Sequence, residues 1–235
     1  MMMGNNLKKM EHQVASFFPV PVVSLKIAED ENEKVKSFFF SNIRGKEYNG
    51  KYINDECQTL IHYREVFDEF RKLFWLKEKI KKYSNFVYKN VMNHITDLEV
   101  TDAWFNYAKK GSWQYVHNHC NSVISGTLFI DVGEDFLVFH SPYEKSSSTG
   151  NIMVDNPSQE ENKLGYTFHN TQIQTEVSNG TILFWPSYLK HSYLPTNKEG
   201  RLSLSFNCLP TKFNSLYFTR SGLQKNITTD TCILS

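Results

Sequence analysis

From about residue 97 onward, apolar and polar positions alternate with the two-residue period of β-strands. The stretch VTDAWFNYAKKGSWQYVHNH (100–119) predicts a hairpin turning at Lys109-Lys110-Gly111. SVISGTLFIDV (122–132) and DFLVFHS (135–141) predict two more strands, joined by Gly133-Glu134. After a long polar segment, YTFHNTQIQTEVS (166–178) alternates again, Asn179-Gly180 marks a tight turn, and TILFWPS (181–187) follows as a strand. LKHSYLP (189–195) is short, 196–200 is a turn, and RLSLSFNCL (201–209) alternates once more. About eight short strands separated by turns predict a mainly β sandwich or jelly roll.

The first part of the chain has a different period. Residues 1–17 are polar; FFPVPVVSLKI (17–27) alternates, and Pro19 and Pro21 place its start at a sheet edge. EDENEKVKSFFFSN (29–42) opens with acids, which complement a helix dipole, and spaces Val35, Phe38 and Phe39 for one helix face. Residues 42–53 read as a loop, and 54–95 as helices carrying Phe67, Phe70 and Phe74. A further stripe runs through Leu76, Ile80, Tyr83, Val87, Val91 and Ile95, with a division near Tyr83–Asn85. The expected organisation is therefore a strand and buttressing helices (1–96), a jelly-roll core (97–210) belonging to the same domain, and a C-terminal tail (211–235).

Composition narrows the function classes. With 235 residues, 40% hydrophobic and 18 phenylalanines, the chain can build a sizeable core. A formal net charge of +1 gives no basic or acidic field that points to nucleic acid or anionic lipid. No apolar run approaches the roughly 18 residues of a membrane-spanning helix. Cys57, Cys120, Cys208 and Cys232 are scattered without a CxxC pair, which argues against a zinc ribbon and for reduced thiols in a cytoplasmic protein.

Chemistry enters with His117-Asn118-His119. Residues two apart on a strand share a face, so both imidazoles can grip one ion. Alone, such a pair is more often incidental surface or core histidine than a metal site. A third, His191, follows 72 residues after His119, a gap that jelly-roll topology can close, because strands distant in sequence become neighbours. Ten residues later, Arg201 and Ser203 share one face of an alternating strand: a guanidinium fork and a hydroxyl, suited to a carboxylate. An arginine paired with a core acid would explain Arg201 equally well.

Taken together, the HxH pair, Ser125-Gly126 with its apolar strand, LFWPSYLKHSYLP and RLSLSFN resemble the 2-oxoglutarate/Fe(II)-dependent oxygenases, in particular those of bacteria and their phages, over about 104–207. The resemblance implies a double-stranded β-helix, a cupin-like jelly roll, with Fe(II) and 2-oxoglutarate as cofactors. His117 and His191 then match metal ligands. His119 stands where that superfamily usually has a carboxylate, and Arg201 with Ser203 matches the cosubstrate site. A three-histidine face leaves the same positions open but keeps the full charge of the ion. Alternation turns Trp104, Asn106, Ser125, Thr127 and Phe129 inward; Asn106 and Thr127 are candidates for cosubstrate hydrogen bonds, their alternative being plain core. His140 and Trp104 are candidates for the substrate side, and 141–165 for a lid.

The implied activity is a cytoplasmic dioxygenase, a hydroxylase, from a bacterium or from a phage acting in its host. Its partners would be 2-oxoglutarate and an unknown substrate. Two alternatives stay open: a jelly-roll structural or binding protein without turnover, and a cupin-like metalloenzyme that does not use 2-oxoglutarate.

Overall fold

The alternation of 201–210 becomes strand β10 (Arg201–Pro210), and it is buried on both faces over most of its length. In the computed structural model, which describes residues 20–44, 60–63, 65–133, 135–142 and 172–212, Arg201, Ser203, Ser205 and Asn207 line the interior between two sheets. Leu202, Leu204, Phe206 and Cys208 point the other way, into an apolar layer shared with helices. This is the period-two rule with a polar interior on one side and a helical buttress on the other.

Among the described residues, nine further strands accompany β10: β1 (Val23–Lys26), β2 (Leu60–Tyr63), β3 (Leu98–Ala108), β4 (Gln114–His117), β5 (Ile124–Asp131), β6 (Asp135–His140), β7 (Gln172–Val177), β8 (Thr181–Pro186) and β9 (His191–Tyr193). They form a six-stranded sheet, order β1-β8-β5-β10-β3-β2, and a four-stranded sheet, order β4-β9-β6-β7. The pairings within both are antiparallel. The strands from β3 to β10 are eight, four in each sheet, which is the jelly roll expected from the sequence. β1 sits at a sheet edge, where its prolines placed it.

Helix α1 (Glu29–Asn42) begins and ends as expected, burying Val35 and Phe39. The Phe39 ring meets those of Phe105 and Tyr107, and the Asn32 side-chain amide donates to the Ile130 carbonyl at 2.9 Å, fixing α1 on the six-stranded sheet. Helix α3 (Phe74–Phe86) buries Leu76 and Ile80 against the same layer. Glu31 and Lys79 pair between the two helices.

Several expectations are corrected. The hairpin over 100–119 does not form: β3 and β4 lie in different sheets, and Lys109–Gly111 carry the chain across. A local alternation cannot report which sheet a strand will join. Among the described residues, the helical region expected over 54–95 contains strand β2 at 60–63, and its helical pieces are α2 (Val66–Glu69), a 3-10 turn at Arg71–Leu73, α3 and a π-turn at Val87–Val91. Helix α3 runs through Tyr83–Asn85 without a break, and Val91 and Ile95 fall off the buried stripe, 45% and 94% exposed. A π-turn adds a residue to the repeat, so the face rotates away from the core beyond Val87. Residues 1–17, the loop at 45–53 and all but the start of 141–165 lie outside the described residues.

Gly126 marks the closest packing in the six-stranded sheet. A Cβ there would lie 2.6 Å from the Leu183 carbonyl and inside the Phe206 ring. Gly180, at φ +79°, makes the expected tight turn, and its N–H reaches the Phe129 carbonyl at 2.7 Å.

Candidate active site

Strand β4 ends at His117, directly opposite His191 at the start of β9. His119 follows in the turn, where its backbone N–H bonds the Ser187 carbonyl at 3.0 Å. One ring nitrogen from each of His117, His119 and His191 lies within 4.8 Å of the others. The ring centroids are 4.3 Å apart for His117–His191, 5.2 Å for His119–His191 and 5.4 Å for His117–His119.

The tautomers are set from behind. Nδ1 of His117 lies 2.9 Å from the Tyr115 carbonyl, and Nδ1 of His191 lies 3.1 Å from the Leu189 carbonyl. Nδ1 of His119 lies 2.6 Å from Asn207 Oδ1. A carbonyl oxygen only accepts, so each Nδ1 carries the proton and each Nε2 keeps its lone pair. Burial lowers all three imidazoles from the usual histidine value: His117 downward, His191 well below, and His119 to about 4, with the charge of His117 adding to the effect at His119 and the Asn207 bond opposing it. Near neutral pH they are three uncharged donors with no proton to displace. The rings of Trp185 and Phe139 pack on His191, and Trp104 lies 5.7 Å from His119. Imidazole-only donors fit a borderline transition ion and are unlike the oxygen cages of calcium or magnesium.

Arg201 opens β10 deeper in the barrel, its side chain 4% exposed. Its Nε donates to Asp135 Oδ2, and its guanidinium carbon lies 4.1 Å from the centre of the Tyr193 ring. Nη2 of Arg201, Oγ of Ser203 and the Tyr193 hydroxyl are buried without a hydrogen-bond partner. Asn106 donates to Ser205 Oγ at 2.9 Å, Ser205 meets Thr127 Oγ1 at 3.0 Å, and the Asn106 carbonyl oxygen is buried unpartnered. A cavity beside these groups is lined by Asn106, Ser112, Trp113, Gln114, Tyr193 and Arg201. Buried polar groups without partners are costly and rare. An unpartnered guanidinium N–H fits an incoming carboxylate, which accepts from it.

His117, His119 and His191 thus converge; Arg201 and Asn106 line one cavity, Ser203 does not line it, and Thr127 is joined to Asn106 through Ser205. His140 is not drawn in. It alternates to the face of β6 opposite Phe139, and its Nε2 lies 2.8 Å from Ser192 Oγ. Three contributors escape a reading of the sequence: Asp135, Tyr193 and Asn207. Asn207 accepts from Ser125 Oγ at 2.8 Å as well as meeting His119, and Ser122 and Ser187 complete the cluster. Its alternation with Arg201, Ser203 and Ser205 on one strand face is the signal that could have marked it.

Comparisons with known proteins bear on the fold and on the stretch 102–207. Residues 102–207 match the family model described as "Putative 2OG-Fe(II) oxygenase". A search of curated proteins by sequence gives no match. Among solved structures, the chain is similar to HygX from Streptomyces hygroscopicus with nickel and 2-oxoglutarate bound, at 11% identity and a TM-score of 0.56, covering 83% of this chain and 85% of that one. The epimerase SnoN, in complex with Fe3+, alpha ketoglutarate and nogalamycin RO, is similar at 10% identity and TM-score 0.59, covering 91% and 88%. A 2OG-Fe(II) oxygenase family oxidoreductase from Burkholderia pseudomallei gives 9% identity and TM-score 0.55, covering 80% and 84%. In its fold, and in sequence over 102–207, the chain resembles the 2-oxoglutarate/Fe(II)-dependent oxygenases.

Proposed function

We propose that this protein is a non-haem Fe(II), 2-oxoglutarate-dependent dioxygenase acting as a hydroxylase. The observation that carries this reading is the pairing of two incomplete groups inside one barrel: three imidazoles with their Nδ1 atoms already committed, and a buried arginine with an unpartnered Nη2. His117, His119 and His191 would hold the metal through Nε2. Arg201 Nη2 and Ser203 Oγ would take the far carboxylate of 2-oxoglutarate, with Asn106, and Thr127 acting through Ser205, beside its chain. When bound, the metal and cosubstrate supply oxygen activation coupled to decarboxylation of 2-oxoglutarate to succinate.

The chain's own residues do the rest. The Tyr115 and Leu189 carbonyls and Asn207 hold the protons on Nδ1, so the three lone pairs stay aimed at one point. Trp185 and Phe139 keep water from the His191 side. Trp104, partly exposed beside His119, marks the side from which a substrate would approach.

The test is anaerobic addition of Fe(II) and 2-oxoglutarate, read as the visible charge-transfer band of a chelated cosubstrate, then admission of oxygen and assay of succinate. The band and succinate are expected from wild type, and both are lost in Arg201→Ala. Metal uptake without a band would instead support a metalloenzyme that does not use 2-oxoglutarate. No metal uptake would leave a jelly roll without turnover.

A further inference from the structure

Asp135 opens β6 on one sheet and Arg201 opens β10 on the other, so their ion pair spans the barrel. The two side chains are 8% and 4% exposed. Both oxygens of Asp135 are in use: Oδ1 accepts the Phe136 N–H at 2.8 Å and Oδ2 accepts Nε–H of Arg201. The carboxylate therefore cannot swing. The Tyr193 ring, 4.1 Å from the guanidinium carbon, fixes the plane of the guanidinium.

The pairing is incomplete in an informative way. An acid that only stapled the sheets would do best with two parallel bonds to the arginine fork. Here the carboxylate takes Nε and leaves Nη2 buried without a partner; the Ser203 Oγ, two residues along the same strand face, and the Tyr193 hydroxyl are buried unpartnered as well. Asp135 thus holds the arginine through Nε and leaves the adjacent Nη2 to a ligand.

The charges point the same way. Three neutral imidazoles leave a divalent ion its two positive charges, and Arg201 adds a third. A 2-oxoglutarate dianion offsets two of them, and Asp135 offsets the last. A carboxylate among the metal ligands would have made the same sum without Asp135. Resting on the function proposed above, we infer that Asp135 is a positioning residue of the cosubstrate site: it aims Arg201 at the distal carboxylate, and its charge, set against the undiminished charge of a three-histidine metal face, keeps the loaded site neutral and limits how tightly the cosubstrate is held.

Two substitutions separate aim from charge. Asp135→Asn keeps an acceptor for Nε and removes the charge; Asp135→Ala removes both. Nickel-loaded wild type and variants are titrated calorimetrically with 2-oxoglutarate and with 2-oxobutyrate, which lacks the distal carboxylate, and melting temperatures are recorded alongside. Relative to wild type, Asp135→Asn should bind 2-oxoglutarate at least about tenfold more tightly, because a like charge a few ångströms from the ligand carboxylate is gone. Asp135→Ala should bind it at least about tenfold more weakly, and 2-oxobutyrate should change by less than about twofold in either. Asp135→Asn binding 2-oxoglutarate no more tightly than wild type overturns the proposal. So does an unchanged affinity in both variants with only the melting temperature lowered, the signature of a structural staple. If nickel-loaded wild type itself binds no 2-oxoglutarate, the proposed function fails and this inference fails with it.

Discussion

Replacing Asn207 with alanine tests whether the candidate site is built or coincidental. Asn207 is 3% exposed, and its Oδ1 accepts from His119 Nδ1 at 2.6 Å and from Ser125 Oγ at 2.8 Å. Asn207→Ala removes the one oxygen that accepts both bonds and leaves the buried Nδ1–H of His119 without this partner. Each lost hydrogen bond costs about 1 kcal/mol net, and a stranded buried donor about 1–3 kcal/mol, so the metal-free protein should lose about 2–4 kcal/mol. For a domain of this size that lowers the melting temperature by roughly 5–15 °C. The functional effect is separate: with its tautomer and ring orientation released, His119 becomes a poorer donor, and affinity for Co(II) or Ni(II) should fall by about 10–100-fold. Asn207→Asp keeps the acceptor and adds a charge that strengthens the bond to Nδ1–H, so its metal affinity should match or exceed that of wild type. Calorimetric melting of the metal-free proteins and metal titration against a competing chelator give the two readings. Wild-type metal affinity in Asn207→Ala, despite a lowered melting temperature, would refute the reasoning and remove His119 from the ligand set.

Other expectations follow from the same geometry. The folded pKa of His119 is depressed from 6.5 to about 4, so the unfolded chain binds more protons between those values, and stability must fall as pH drops through that window. The full shift is worth about 3 kcal/mol; denaturation of metal-free protein between pH 7.5 and 4.5 should show a shallower pH slope in His119→Gln, and equal slopes would contradict it. Cys208 is buried beside Ser84 and its thiol is pushed up to about 12, whereas Cys120 is exposed. Iodoacetamide at pH 8 with peptide mapping should therefore label Cys120 and spare Cys208 until the protein is unfolded. Gly126→Ala should cost at least about 1–3 kcal/mol in urea unfolding, because its Cβ meets the Leu183 backbone carbonyl; wild-type stability would mean that β5 and β8 are paired differently.

Much of this could be read from residue order. RLSLSFNCL announced a strand with two unlike faces, and both proved buried: Arg201, Ser203, Ser205 and Asn207 in the barrel, and Leu202, Leu204 and Phe206 under the helices. Helix α1 was legible to its ends because an acidic first turn and the Val35–Phe39 spacing agree. The three histidines could be grouped because two lay on one strand end and the third followed at a jelly-roll distance. What stayed hidden was pairing. The partner of Arg201 is 66 residues away, at the start of a strand whose middle is apolar, and nothing local to Asp135 marks it as that partner. The carbonyls behind His117 and His191 are backbone groups, which sequence does not distinguish. The strand β2 was missed because its four residues sit in a region whose dominant period is helical.

The place of β10 has a consequence for how the protein is made. It lies between β5 and β3, so before residues 201–210 join, the six-stranded sheet consists of two separate pieces, β1-β8-β5 and β3-β2. A ribosome delivering the chain from its N-terminus releases β3 long before the strand that pairs with most of its length. Until then β3 and β5 each present an unpaired edge, the kind of surface on which nascent chains aggregate or recruit chaperones. The strand that carries Arg201 is thus also the last of the eight to arrive. Growing chains halted before it should be protease-sensitive along β3, and those extended past Pro210 should gain protection in one step.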